Sequence, residues 1–141
     1  MPDIERIKKH LAAVIRSIEN LEKHKGISAE NLKSDLDLLW IVERGIYLAV
    51  QNLFDIFAHI VSADFDSQWE TYSDIAEILF IKKLINEEDK KLLNQMAGFR
   101  NRLSHEYLSL ELNVLVDIIN NRLSDFSKFF SIIKNYCKIN E

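Results

Sequence analysis

Glycine, proline and cysteine are nearly missing from this chain: three, one and one among 141 residues. So little glycine and proline leaves few places for the tight turns of a β fold and favours long helices. A single cysteine, Cys137, excludes an intramolecular disulfide and fits a reducing compartment. The thiol itself reads as a small side chain on the last helix. No cationic start leads into a long apolar run, so neither a secretory signal nor a membrane span is expected, and the chain is expected in the cytoplasm. A surplus of basic charge is missing too. The net charge is −4, which argues against broad nucleic-acid binding through a basic surface and would require any RNA to be held in a local cationic groove.

Metal and phosphate signatures are absent as well. His10, His24, His59 and His105 are scattered, with no H-E-x-x-H, no E-x-x-H and no paired cysteines. There is no glycine-rich phosphate loop. No metal and no cofactor are therefore expected. Nor is there a repeat, a low-complexity stretch or a linker.

What is present is apolar material at helical spacing. At 48% hydrophobic the chain can build one core, and residues 1–141 read as a single all-α domain, an up-and-down bundle of about five helices. The first helix is expected from Asp3 to His24, with Ile4, Ile7, Leu11, Val14, Ile18 and Leu21 inward and Gly26 as its stop. Arg6, Lys8, Lys9 and Arg16 read as its solvated face. Ser28 can cap a second helix running to about Ala63, long enough to serve as a spine. Leu36, Leu39, Trp40, Ile46, Tyr47, Val50 and Phe54 keep its apolar rhythm. Glu43 and Arg44 interrupt that rhythm, and Gln51, Asn52 and Asp55 form a second polar cluster. Thr71 or Ser73 caps a short third helix, where Trp69, Tyr72 and Phe80 read as core plugs. Asn86 with Glu87, Glu88 and Asp89 starts a fourth helix, and Ser109 a last one from Leu110 to about Lys138.

The fourth helix carries the unusual chemistry. Leu93, Met96, Arg100, Leu103 and Tyr107 fall along one stripe at the three-four repeat of a buried seam, which puts an arginine where a leucine is expected. An arginine there needs an acid, an anion or another chain. Gly98, costing ~1 kcal/mol against alanine inside a helix, invites the close approach of a partner backbone.

Arg100, Asn101, His105 and Tyr107 spell R-N-x-x-x-H-x-Y, preceded by Met96-Ala97-Gly98-Phe99. On these residues the chain resembles the HEPN superfamily, and within it the HepT-like ribonuclease toxins. The resemblance implies a helical homodimer with its motifs facing across a cleft, RNA as substrate, and a nucleotidyltransferase antitoxin as partner. It implies catalytic roles for Arg100 and His105. It also implies that Tyr107 is the site at which the antitoxin attaches AMP. An acidic residue of the second helix lies near the motif in this branch, and Glu43 is the match. A surface Glu43–Arg44 pair is the plainer alternative.

The residue types suit cleavage without a metal. The ribose 2′-hydroxyl is the nucleophile, histidine shuttles protons near neutrality, and a guanidinium holds the extra charge on the phosphate. Asn101 lies four residues before His105 and can orient its imidazole. Arg100 and His105, however, stand ~140° apart on a regular helix. Either the helix ends within the motif or two chains share the site, and a twofold dimer would also join two copies of Arg100 and Arg102 into a positive groove. Ser104 points ~100° away from His105 and is no nucleophile candidate. A buried Arg100–Glu43 pair with His105 capping the helix end is the plainer reading of the motif. Two other functions stand beside the ribonuclease: a non-catalytic HEPN companion that presents a substrate to a nucleotidyltransferase, and a plain helical interaction protein, which leaves the arginine in the seam unexplained.

Overall fold

Capping residues set the frame of the computed structural model, which describes residues 2–105 and 112–139, the side chains of Ser104 and His105 excepted. Asp3 accepts from the Arg6 amide at the start of α1 (Ile4–Glu22), and reciprocal capping boxes open α2 (Ala29–Ser34) at Ser28/Asn31 and α4 (Tyr72–Ile81) at Thr71/Asp74. Asn86 and Asp89 exchange bonds at the head of α5 (Glu87–His105), where Asp89 also pairs with Lys128 at 2.6 Å. Between α2 and α4 runs α3 (Leu36–Asp64), and the chain closes with α6 (Leu112–Asp117), a π-helical turn (Ile118–Arg122) and α7 (Ser124–Cys137).

The all-α expectation holds; the count of about five helices does not. Two expected helices are each broken. The long second helix splits at Asp35, whose extended backbone (φ −130°, ψ 97°) ends α2 while its carboxylate caps the Leu38 amide of α3. The last helix is widened by the π turn, which pushes Asn120 toward the α1–α2 connection. There Asn120 accepts from the Gly26 amide (2.7 Å) and donates to the Ile27 carbonyl (3.1 Å). Gly26, at φ +94°, holds the left-handed turn that stops α1. Ser109 lies outside the described residues.

The core lies around α3. Leu53, Phe54, Ile56, Phe57 and Ile60 are fully buried, joined by Ile7, Val14 and Leu21 from α1 and by Phe129 from α7. Helix α1 runs antiparallel to α3: the Asp3 amide donates to His59, His10 pairs with Asn52 (2.9 Å), and Leu21 fits against Gly45. A Cβ at Gly45 would stand 2.7 Å from a Leu21 methyl, so the glycine is what lets the two helices close. By length and composition α3 could cross a membrane, but its core packing accounts for its apolarity. The expected inward rhythm holds at Ile46 and Val50 but fails at Leu36 and Trp40 in its first turns. Leu36, Trp40 and Ile41 are 53%, 52% and 45% exposed and form an apolar strip at the surface.

Candidate functional site

Arg100 faces α3 from α5, as its stripe requires, and the acceptors it meets there are neutral. Its Nη2 donates to the Tyr47 hydroxyl at 3.0 Å and to Gln51 Oε1 at 2.9 Å. Tyr47 and Gln51 are one turn apart on α3, so a single helical face offers both acceptors. The guanidinium also lies over the rings of Tyr47 (4.8 Å) and Tyr72 (5.3 Å). Tyr72 is stacked in turn on Phe54, with ring centroids 4.2 Å apart and planes parallel. Desolvation is the main cause that pushes the Tyr72 phenol up from its ordinary value, against the pull of Arg100. Tyr72 is thus more than a core plug: together with Tyr47 and Gln51 it fixes where the guanidinium points. The aromatic faces and neutral oxygens of α3 and α4 do not themselves neutralise the positive charge of the group.

Glu43 sits one turn before Tyr47. It is buried, 8% exposed, so the surface pairing with Arg44 is overturned; Arg44 instead lies over the Tyr47 ring at 5.4 Å. Nor does Glu43 pair with Arg100. Its Oε1 has no hydrogen-bond partner, and burial raises its carboxyl above the ordinary range. A raised folded-state value means that the fold disfavours the ionised form. The resulting cost is full above the raised value and vanishes as pH falls through the ordinary carboxylate range. Glu43→Gln should therefore raise the melting temperature at pH 7 by a few degrees, at roughly 3 °C per kcal/mol for a chain of this size. Thermal melts from pH 4 to 7 should show that gain shrinking toward acid; a gain independent of pH would mean the carboxylate is neutral throughout.

The other motif residues divide. Asn101 is exposed, and its Oδ1 meets Arg100 Nη1 at 3.5 Å, so it stands against the arginine. Arg102 is exposed on another side of α5, with its guanidinium 5.5 Å above the Phe99 ring. His105 is the last residue of α5, and the helix is continuous from Arg100 to it, so the backbone keeps the two ~140° apart. The escape in which the helix ends between them is closed. Tyr107 lies outside the described residues. Gly98 is exposed with nothing among the described residues within 4 Å of an added Cβ, so none of them requires the glycine. Among the described residues no group of three or more His, Cys, Asp or Glu could hold a metal ion. Cys137 is half-buried, and burial pushes its thiol up, away from reactive thiolate.

Sequence reasoning missed Tyr47, Gln51 and Tyr72 as parts of the site. Gln51 was visible as a polar break in an apolar helix, eight residues from Glu43 and so two turns along the same face.

A bundle spined by one long helix, with an arginine-histidine motif on the helix packed against it, defines a class of HEPN ribonucleases. The chain matches the model of the ribonuclease HepT-like family over residues 14–133 and belongs to that family. It is 26% identical over 132 residues to the tRNA nuclease HepT of Aphanizomenon flos-aquae, covering 92% of this chain and 88% of the relative. Over 124 residues it is 26% identical to the mRNA nuclease HepT of Shewanella oneidensis, covering 88% and 92%. Among solved structures, the tri-AMPylated Shewanella oneidensis HEPN toxin in complex with its MNT antitoxin superposes with a TM-score of 0.84. That match is 26% identical and covers 96% of this chain and 99% of the toxin.

Proposed function

We propose that this chain is a toxin ribonuclease of the cytoplasm that cuts RNA as a homodimer, without a metal, and is silenced by a nucleotidyltransferase antitoxin that AMPylates Tyr107. The observation that carries the reading is the held guanidinium of Arg100 on the same helix as His105, in a chain whose relatives are named RNA nucleases. In the reaction the ribose 2′-oxygen forms a bond to phosphorus and the bond to the 5′-oxygen breaks. One proton leaves the 2′-hydroxyl and one reaches the 5′-oxygen, so both a base and an acid are needed. One chain brings one motif histidine; a twofold pair brings two. Arg100 holds the charge that builds on the phosphate oxygens.

Three features support the shared site. Arg100 and His105 diverge around a continuous helix, Gly98 is open to an incoming backbone, and Leu36, Trp40 and Ile41 leave apolar surface on α3. Enlarging Gly98 to leucine should leave the single chain folded, since nothing among its described residues lies within 4 Å of an added Cβ, and even gain back part of the ~1 kcal/mol that glycine costs in a helix. The same change should weaken the dimer and remove cleavage together. Sedimentation of wild type and Gly98→Leu at micromolar concentration checks this; a wild type that is only monomeric would sink the shared site. The ribonuclease reading is tested by expressing wild type and His105→Ala side by side. Growth arrest and RNA fragments ending in 2′,3′-cyclic phosphate, formed in EDTA, are expected from the wild type alone. Equal cleavage by both proteins would remove it.

A further inference from the structure

On the flank of α5 away from Tyr47, the chain holds a cavity of about 310 Å³, at the small end of the range of sites that take small organic groups. Its floor is apolar: Ile46 and Val50 of α3, Met96 and Phe99 of α5, and Phe126 of α7. Its rim is polar and carries both signs. Arg102 and Gln95 stand on the α5 side, and Asp117 and Arg122 on the far wall. That wall is the π turn, a rare widening of a helix that is frequent at functional sites. The widened turn is internally tied: Asn121 donates to Asp117 at 2.8 Å, and Arg122 pairs with Asp125 at 2.8 Å. Those pairs hold a fixed acceptor and a fixed donor at the mouth. Arg102 differs. Among the described residues it has no carboxylate partner, only the Phe99 ring beneath it.

We propose that this cavity binds one unpaired base of the RNA, with the adjoining phosphate on Arg102. An apolar floor with aromatic side chains receives the face of a base once it leaves the stack, as proteins that read single-stranded RNA do. A base edge presents donors and acceptors together, and the rim offers both within one mouth. The uncommitted guanidinium is the group for a phosphate that must be held beside that base. Phe99 is the residue before Arg100, so the same helix turn carries the cavity floor on one flank and the clamped arginine on the other. The pocket then selects which nucleotide lies next to the cut.

This assignment rests on the ribonuclease reading, but its first test does not use cleavage. Nucleoside 3′-monophosphates, which hold no diester to cut, are titrated into the full-length wild-type protein, with ribose 5-phosphate as the phosphate-only probe. Methyl resonances of Ile46, Val50, Val114 and Ile118 should shift with at least one nucleotide and not with ribose 5-phosphate. Arg102→Ala should weaken that binding about tenfold or more, as loss of a hydrogen bond to a charged group does. Val114→Phe, which fills the cavity from its lining, should abolish it while the circular dichroism spectrum stays helical. Shifts that are absent, or equal for ribose 5-phosphate, overturn the site even if RNA is cut. The second test sequences the RNA ends: a base preference at one position beside the cut should be relaxed in Val114→Phe, which fills the base cavity. Arg102→Ala should instead weaken cutting of all sequences alike. An unchanged preference in Val114→Phe overturns the assignment to RNA.

Discussion

Arg100→Ala should lower RNA cleavage by about two orders of magnitude or more, the loss found when a donor to a developing oxyanion is removed. The same change strips the Tyr47 hydroxyl and Gln51 Oε1 of the donor they share and removes the cation from between two rings. A stability loss of about 1–3 kcal/mol follows from leaving such groups unpaired, so activity must be compared well below the melting temperature of the variant. Arg100→Lys separates charge from shape. An ammonium keeps the charge but lacks the planar fork that reaches Tyr47, Gln51 and Asn101 together, and most of the activity should still be lost. Gln51→Leu leaves the motif intact and removes one hold on the guanidinium. It should lower kcat by a smaller factor and be relieved by Gln51→Glu, which restores an acceptor. Single-turnover cleavage of a labelled RNA reads all four variants. Wild-type rates in Arg100→Ala would remove the arginine from the reaction.

Tyr107→Phe should remain toxic and become impossible to silence by covalent modification. The prediction rests on the proposed AMPylation at Tyr107, and its physics is electrostatic. Each added nucleotide brings phosphate charge and bulk to a groove that must otherwise admit RNA phosphates, and it competes for the same guanidinium groups. Phenylalanine keeps the ring and loses only the oxygen that would carry the phosphate. Co-expression with the nucleotidyltransferase should rescue growth for the wild type and fail for Tyr107→Phe. Mass spectrometry should find adenylyl mass on the Tyr107 peptide of the neutralised wild type. An unmodified peptide in a fully neutralised wild type would show that binding alone does the silencing.

Much of the architecture was written in local chemistry. Asp3, Ser28, Thr71 and Asn86 each open a helix because a short polar side chain meets the free amides of a first turn, a signal that needs no tertiary context. Two features lacked such a signal. The break at Asp35 comes without glycine or proline, and Asp35 both ends one helix and caps the next. The π turn is invisible because Leu115, Ile119, Leu123 and Phe126 keep an unbroken three-four spacing through it, all of them buried. Arg100 was legible as an anomaly, since a charge in a seam demands a partner. Its partners were not, because Tyr47 and Tyr72 come from other helices and read as ordinary apolar packing. Glu43 was legible as a charge within the apolar rhythm of its helix, but its burial was not, because it is set by what packs on α3 and not by the local sequence.

The hold on Arg100 is assembled from parts far apart along the chain. Tyr47 and Gln51 are made early, Tyr72 must be brought in by α4 with Thr71 as its cap, and the arginine itself is made after all of them. No segment shorter than this can aim the guanidinium. If Arg100 acts as proposed, a chain emerging from the ribosome gains that activity only once α3, α4 and α5 have docked, and the time between synthesis and completed packing is a grace period. The proposed antitoxin would need only to arrive within it.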